Sequence, residues 1–548
     1  MSKVLVIGLD GATFELIEPW VEEGELPTFS RLMSEGSWGA LKSTLPPLTV
    51  PAWAAMFTGK NPARLGLFGL ADRKKGEYSI GGPPLSWEDL HPIWESAERF
   101  EREASVISVP TTSVPASGFS GNFVAGTGPM IGKSVNDKLA QPDSLDNWLR
   151  ERDYRLHLRP SDASRKSPEG KRQYLKDLER LTESRFEVGG KLIEENWDLF
   201  IFSLFHTDMT QHIFWKDYMS GGEFGDAILD YYKKIDEKLG RLLERIEGPF
   251  DLVMVSDHGH TRLEKEIDLN RFLVENGWMT MESEEEHKVT RRGIAEWLTK
   301  LGLKRAYKKV KELPGVNKLD EKLRDSVPLD EHSSEDVSWK DTVAYSYSLA
   351  GVYLNLSGRE PEGVVGENEY EGLREEIMEA LAELKDPETG DLVVENVYKK
   401  EKVYAGPHLE DAPDILIDYK DPYQDSHSEP APQHESVFNE PSSFFTSTHT
   451  NDGIFIAHGP DIKNSGKLSL EKQISLMDIT PTVLQLLGNP IPENVDGKAR
   501  KEVFKKDSGA NQREPEYYEP PDSNGGEQEL SQEENEEVKQ RLEDLGYL

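Results

Sequence analysis

The chain has 548 residues, 36% hydrophobic and 30% charged, with 101 Asp and Glu against 64 Lys and Arg and a formal net charge of −37. That length predicts one large domain with a sizeable insertion, or two domains, and the charge turns nucleic-acid polymers and anionic lipid away from most of the surface. With no cysteine, disulfides, thiolate nucleophiles and cysteine-bound metal clusters are excluded, so any metal must be held by His and carboxylate.

The first element is "KVLVIGL" (3–9), a nearly continuous apolar run stopped by Asp10-Gly11, which suits a strand buried on both faces of a parallel sheet. In "PLTVPAWAAMFTGKNP" (47–62), Thr49 precedes Pro51 and a short helix expected over Ala52–Phe57, closed by Gly59 and Pro62. Taken alone, Thr49 reads as an N-cap. "DLFIFSLF" (198–205) repeats the strand grammar and ends before Asp208. Ile228, Tyr232, Ile235, Leu239, Leu242 and Ile246 then keep helical spacing up to Gly248-Pro249, and "FDLVMVSDHG" (250–259) is the next strand.

From 280 to 345 the chain turns charged and helical in pattern, and we expect a mostly helical insertion there. "TVAYSYSLAGVYLNL" (342–356) returns to strand-like alternation, and 346–506 is expected to hold the rest of this cap and the second part of the core begun in 1–279. Within it, 421–443 reads as an exposed loop, and "GIFIAHGP" (453–460) is a strand following His449. An acidic, Pro/Gly-rich linker is expected over 507–530 and an amphipathic helix over 531–548. Strand, helix, strand with polar residues at strand ends describes an α/β fold: a mostly parallel central sheet flanked by helices, its site at the carboxyl edge, plus an inserted α+β cap. No stretch approaches about 18 uninterrupted apolar residues and no signal pattern opens the chain, so no membrane span and a cytoplasmic location are expected.

Four places offer hard-cation ligands at strand ends. They are Asp10; Asp208 and His212, at i and i+4 in "HTDMTQHIFW"; Asp257 and His258; and His449 in "FTSTHTNDG". Each alone is commonplace, as a turn, a cap or a solvated contact, and their recurrence at successive strand ends is what points to a metal site. His206, His260 and His458 read as packing or supporting residues.

Asp10, "PPLTVPAWAAMFTGKNP", "DMTQH", "SDHGH" and the late His449, in that order, resemble the alkaline phosphatase superfamily. The likeness is to its type I phosphodiesterase and nucleotide pyrophosphatase group and to prokaryotic predicted phosphohydrolases or phosphomutases. "VLVIGLDGAT", "GVYLNLSGREPEG", "LEDAPDILI" and "SLMDITPTVLQLLG" support it. The resemblance implies an alkaline-phosphatase-like core with two divalent ions, zinc or manganese. Asp208, His212 and His449 would hold one ion, Asp10, Asp257 and His258 the other, with Thr49 as nucleophile on the second. A neutral threonine hydroxyl is a poor nucleophile, and two cations about 4 Å apart activate the attacking oxygen and stabilise the leaving one.

The implied activity is hydrolysis of a small anionic phosphoester by a phosphodiesterase working through a phosphothreonine. A cofactor-independent phosphomutase and a nucleotide pyrophosphatase are the alternatives. Sulfatases share the fold but make formylglycine from Cys or Ser, which Thr49 cannot give, and a non-catalytic scaffold would be expected to have lost the nucleophile or several ligands. Trp53, on the turn of Thr49, and Trp215, just after His212, are the expected apolar wall for a second substituent.

Overall fold

Both faces of the strand expected at 3–9 are buried. It forms as Lys3–Leu9, with Leu5, Ile7 and Leu9 in one hydrophobic core and Val4 and Val6 in another, which is why the run is continuous rather than alternating. The computed structural model describes residues 3–82, 87–115, 119–126, 138–158, 167–282, 334–347, 351–426, 430–441, 446–469 and 473–521. Lys3–Leu9 pairs in parallel with Leu199–Leu204 on one side and Phe250–Val255 on the other. The sheet continues in parallel through Ala104–Ile107 to Asn122–Val124. On the opposite flank Asp452–His458 runs antiparallel between Phe250–Val255 and Ser37–Lys42, a direction its sequence does not disclose.

Helices cover both faces. Phe14–Glu22, Pro27–Glu35, Pro168–Leu192 and Ala227–Leu243 pack over the first core, while Thr49–Thr58, Ile93–Arg99 and Ile479–Leu487 pack over the second. A separate α+β layer has its own core around Tyr345, Tyr353, Ile377 and Ile415. Its antiparallel sheet runs in the order Ala344–Tyr347, Gly351–Leu354, Ile415–Tyr419, Val394–Lys399, with the helix Glu367–Ala382.

Two loop-like readings differ from what forms. In 421–443, Tyr423–Asp425 and Phe438–Asn439 flank Lys265–Ile267 in a three-stranded sheet, and Asp425 and Ala431 are buried. The buried Asp268 carboxylate accepts the backbone N–H of Gln433 at 2.8 Å and of His434 at 2.9 Å, so this polar segment finds its partners far away in sequence. In the acidic stretch from 507, Gly509–Gln512 is helical and Tyr517–Tyr518 pairs with Ile491–Pro492. Gln485 Nε2 donates to the Ala510 carbonyl at 2.7 Å and the Tyr518 ring meets Phe100, so 507–521 is folded onto the core. Most of the helical insertion expected at 280–345, and the helix expected at 531–548, lie outside the described residues. Among the described residues no helix is long and apolar enough to cross a membrane.

Candidate active site

The predicted ligands meet at one edge of the central sheet, where Asp10, Asp208, His212, Asp257 and His258 follow the ends of core strands and His449 precedes the antiparallel strand Asp452–His458. Asp10 follows Lys3–Leu9, and Asp257-His258 follow Phe250–Val255. Asp208 and His212 lie in the first turns of His206–Ser220, directly after Leu199–Leu204. His449 sits on Ser447–Thr450, which pairs antiparallel with Gly259–Arg262 and sets His449 opposite His260. Gly11 has φ 63°, and a Cβ there would lie 2.8 Å from His260 Nδ1 and 3.0 Å from Asp208 Oδ1, so only glycine closes this turn without entering the site.

The candidate ligand atoms lie in two adjoining clusters that share His258. In one, His212 Nε2 lies 3.4 Å from Asp208 Oδ1, His449 Nε2 lies 3.3 Å from the same oxygen, and the two nitrogens are 3.0 Å apart. In the other, His258 Nε2 is 3.2 Å from Asp257 Oδ2, 3.8 Å from Asp10 Oδ1 and 3.4 Å from Thr49 Oγ1. Atoms bound to one tetrahedral ion at about 2.0–2.2 Å stand about 3.3–3.5 Å apart, close to these spacings. The far ring nitrogens orient the imidazoles. His449 Nδ1 faces the Pro47 carbonyl at 3.0 Å, His258 Nδ1 the Gly259 carbonyl at 3.1 Å and His212 Nδ1 the Ser447 hydroxyl at 3.3 Å. With Nδ1 protonated to donate there, each Nε2 turns a lone pair inward.

Electrostatics agree with a cation-binding role. Burial, then the neighbouring charges of Asp257 and Asp208, pushes the Asp10 carboxyl well above the ordinary range. Burial likewise raises Asp257 and pushes the His258 and His260 imidazoles well below theirs, so the rings stay neutral and able to ligate. Asp10 Oδ1, Asp208 Oδ2 and Asp257 Oδ2 are buried and accept no hydrogen bond. Crowded carboxylate oxygens without donors, beside inward-facing imidazole lone pairs, fit divalent cations bound by oxygen and nitrogen.

Several sequence expectations change here. The helix begins at Thr49, not Ala52, because Pro51 falls in its first turn, where an N–H has no intrahelical partner to lose. Leu48 is the N-cap, and the Thr49 side chain makes no capping bond, so its hydroxyl is left to face His258. Trp53 is not a wall of an open site: it is fully buried, stacked on Phe57, and donates its indole N–H to Asp10 Oδ2 at 2.7 Å. Gly8 makes room for that ring, since a Cβ there would lie 2.5 Å from Trp53 Cη2. Trp215 is buried against His260, with ring centres 6.0 Å apart. The open cleft beside His212 and His449 is walled instead by Leu45, Pro47, Leu48, Ile417, Tyr419 and Tyr423.

His260, read from sequence as a supporting residue, stands in the cluster. Its Nδ1 is 3.5 Å from Asp208 Oδ1, and it groups with Asp208, His258 and His449. The available signal was the spacing in Asp257-His258-Gly259-His260, because alternate residues of an extended segment share a face.

A mostly parallel α/β sheet whose carboxyl edge gathers carboxylates and imidazoles around a buried hydroxyl suits metal-dependent phosphoester hydrolysis of the kind found in the alkaline phosphatase superfamily. The model of the type I phosphodiesterase / nucleotide pyrophosphatase family matches residues 4–452, and the chain belongs to that family. Similar solved structures include human ectonucleotide pyrophosphatase/phosphodiesterase 5, 15% identical with a TM-score of 0.47, covering 92% of this chain and 100% of that one. The murine protein, in an inactive form in complex with AMP, is 14% identical with a TM-score of 0.46 and the same coverage. No curated protein matches the chain.

Proposed function

We propose that the protein is a two-metal phosphodiesterase in which Thr49 is the nucleophile. The observation that carries this reading is Thr49 Oγ1 standing 3.4 Å from His258 Nε2, a nitrogen that also faces Asp10 and Asp257. Asp10, Asp257, His258 and Thr49 would hold one ion and Asp208, His212 and His449 the other, and the nitrogen and oxygen donors suit zinc or manganese. Divalent cations there supply charge neutralisation for the phosphoryl oxygens and a lowered pKa for the attacking hydroxyl.

Thr49 Oγ forms the new bond to phosphorus as the first alcohol departs with a proton. Water then cleaves the Thr49 ester, returning the hydroxyl and releasing a phosphomonoester. Pro51 has no N–H and the Ala52 N–H donates to the Leu48 carbonyl at 3.0 Å, so of the first amides of the helix those of Thr49 and Val50 are left for the phosphoryl oxygens.

Charge near the nucleophile favours a diester. The first cations after Thr49 in sequence stand beyond the far end of its helix Thr49–Thr58, where Lys60 Nζ donates to the Leu90 carbonyl at 2.8 Å and Arg64 pairs with Asp496 at 2.9 Å, so neither is given over to a dianionic monoester. The test compares an aryl phosphodiester with the matching monoester and sulfate ester. A higher kcat/KM for the diester and poor sulfate hydrolysis are expected. Monoester preference by about tenfold, or isomerised product without free phosphate, would overturn the reading.

A further inference from the structure

Beside His212 and His449 the site opens into a cleft between Leu45–Leu48 of the core and the cap segment ending at Asp425, with Thr448–Asn451 along one side. Among the described residues no Lys or Arg lines it, while Asp418, Asp421 and Asp425 do. An extra phosphate on the second substituent would therefore meet carboxyl groups and no counter-charge.

The polar groups of the cleft are both donors and acceptors. Asn451 donates Nδ2 to Asp418 Oδ1 at 2.5 Å, and its own Oδ1 is a buried acceptor with no partner. The Tyr419 hydroxyl is a second buried polar atom without a partner. Asp425 is 5% exposed and burial pushes its carboxyl up to about 8, which favours the protonated, donating form near neutral pH. A bound ammonium group would need acceptors alone and an alkyl chain would need neither, whereas every hydroxyl of a polyol both donates and accepts.

We propose that this cleft binds the second alcohol of the diester and selects an uncharged polyhydroxy alcohol, a sugar or polyol, through Tyr419, Asn451 and Asp425. The proposal rests on the phosphodiesterase reading above. A site built to hydrogen-bond a substrate hydroxyl discriminates strongly against the analogue that lacks it, because its own polar groups are then left unpaired.

The experiment measures kcat/KM for three 4-nitrophenyl phosphodiesters whose second alcohol is glycerol, propanol or choline. The glyceryl ester is expected to exceed the propyl ester by about tenfold or more. Tyr419→Phe and Asn451→Ala should each lower the glyceryl-to-propyl ratio at least about threefold, and that ratio is not moved by a general loss of folded enzyme. Equal glyceryl and propyl values, or ratios unchanged in both variants, would overturn the polyol assignment while leaving the phosphodiesterase reading standing. A choline ester faster than the glyceryl ester would replace the polyol with a cation. Hydrolysis of none of the three, with the monoester turned over, would overturn the phosphodiesterase reading and this proposal together.

Discussion

Replacing Trp53 with Phe removes one atom pair that the sequence did not disclose. The indole N–H is a hydrogen-bond donor to Asp10, and both side chains are fully buried, so after Trp53→Phe no water from bulk replaces it without entering the core. With cations bound Asp10 is charged, and a hydrogen bond to a charged group contributes about 1.5–3 kcal/mol; the smaller ring also leaves a void beside Gly8, so a total loss of about 3–5 kcal/mol is expected in the metal-loaded protein. Freed at Oδ2, the Asp10 carboxylate loses its fixed orientation, and losing an outer hydrogen bond to a ligand weakens metal affinity about 10- to 100-fold. The assay strips the enzyme with chelator and follows aryl phosphodiester hydrolysis against buffered Zn²⁺ or Mn²⁺. The midpoint should move up by that factor, with kcat at saturating metal much less affected. Phe57→Leu, which opens a void against the same indole while keeping its N–H, should lose stability without moving the midpoint. A folded Trp53→Phe protein with the wild-type metal midpoint would refute the argument.

Thr49→Ala should lose nearly all turnover while folding normally, and Thr49→Ser should keep measurable activity; wild-type rates in the alanine variant would return Thr49 to a structural role. Chelation should abolish activity, Zn²⁺ or Mn²⁺ should restore it, and elemental analysis should find two ions per active chain, fewer than one being incompatible with the site described. Asp251 is 1% exposed, and burial raises its carboxyl from 3.8 to about 7. Its neutral form is thus favoured by folding, and the stability it contributes below pH 4 is lost as pH rises through 7. Asp251→Asn should therefore be more stable than wild type at pH 8, by about 2–4 kcal/mol, with the gap closing toward pH 4 in chemical denaturation. Deleting 507–548 removes the Tyr517–Tyr518 pairing and the buried Ala510, so melting should fall by several degrees while turnover of the folded fraction stays near normal; an unchanged melting temperature would contradict the packing of 507–521.

What could be read from sequence is what depends on short range. The run at 3–9 and its stop at Asp10 are local, and so is the i, i+4 spacing of Asp208 and His212, which made the strand ends and the candidate ligands legible. The antiparallel direction of Asp452–His458 depends on which neighbours it finds across the sheet, and nothing within 453–460 encodes that. Trp53 looked like an open wall because its position near Thr49 is local, whereas its burial depends on the room left by Gly8 on the distant strand Lys3–Leu9. Residues 421–443 looked exposed because their hydrogen-bond partner, Asp268, lies more than a hundred residues upstream. His260 was legible in principle from its alternation with His258, but one histidine beside a motif also has an ordinary supporting role.

The central claim is that Thr49, not water, makes the first attack on phosphorus, and the stereochemical course tests it whether or not the intermediate accumulates. One isomer of a chiral aryl phosphorothioate diester is hydrolysed in isotopically labelled water and the configuration of the product is determined. Two successive in-line displacements, first by Thr49 Oγ and then by water, each invert phosphorus and together retain its configuration. Retention is the predicted result, and inversion, the outcome of a single direct attack by water, would contradict the account.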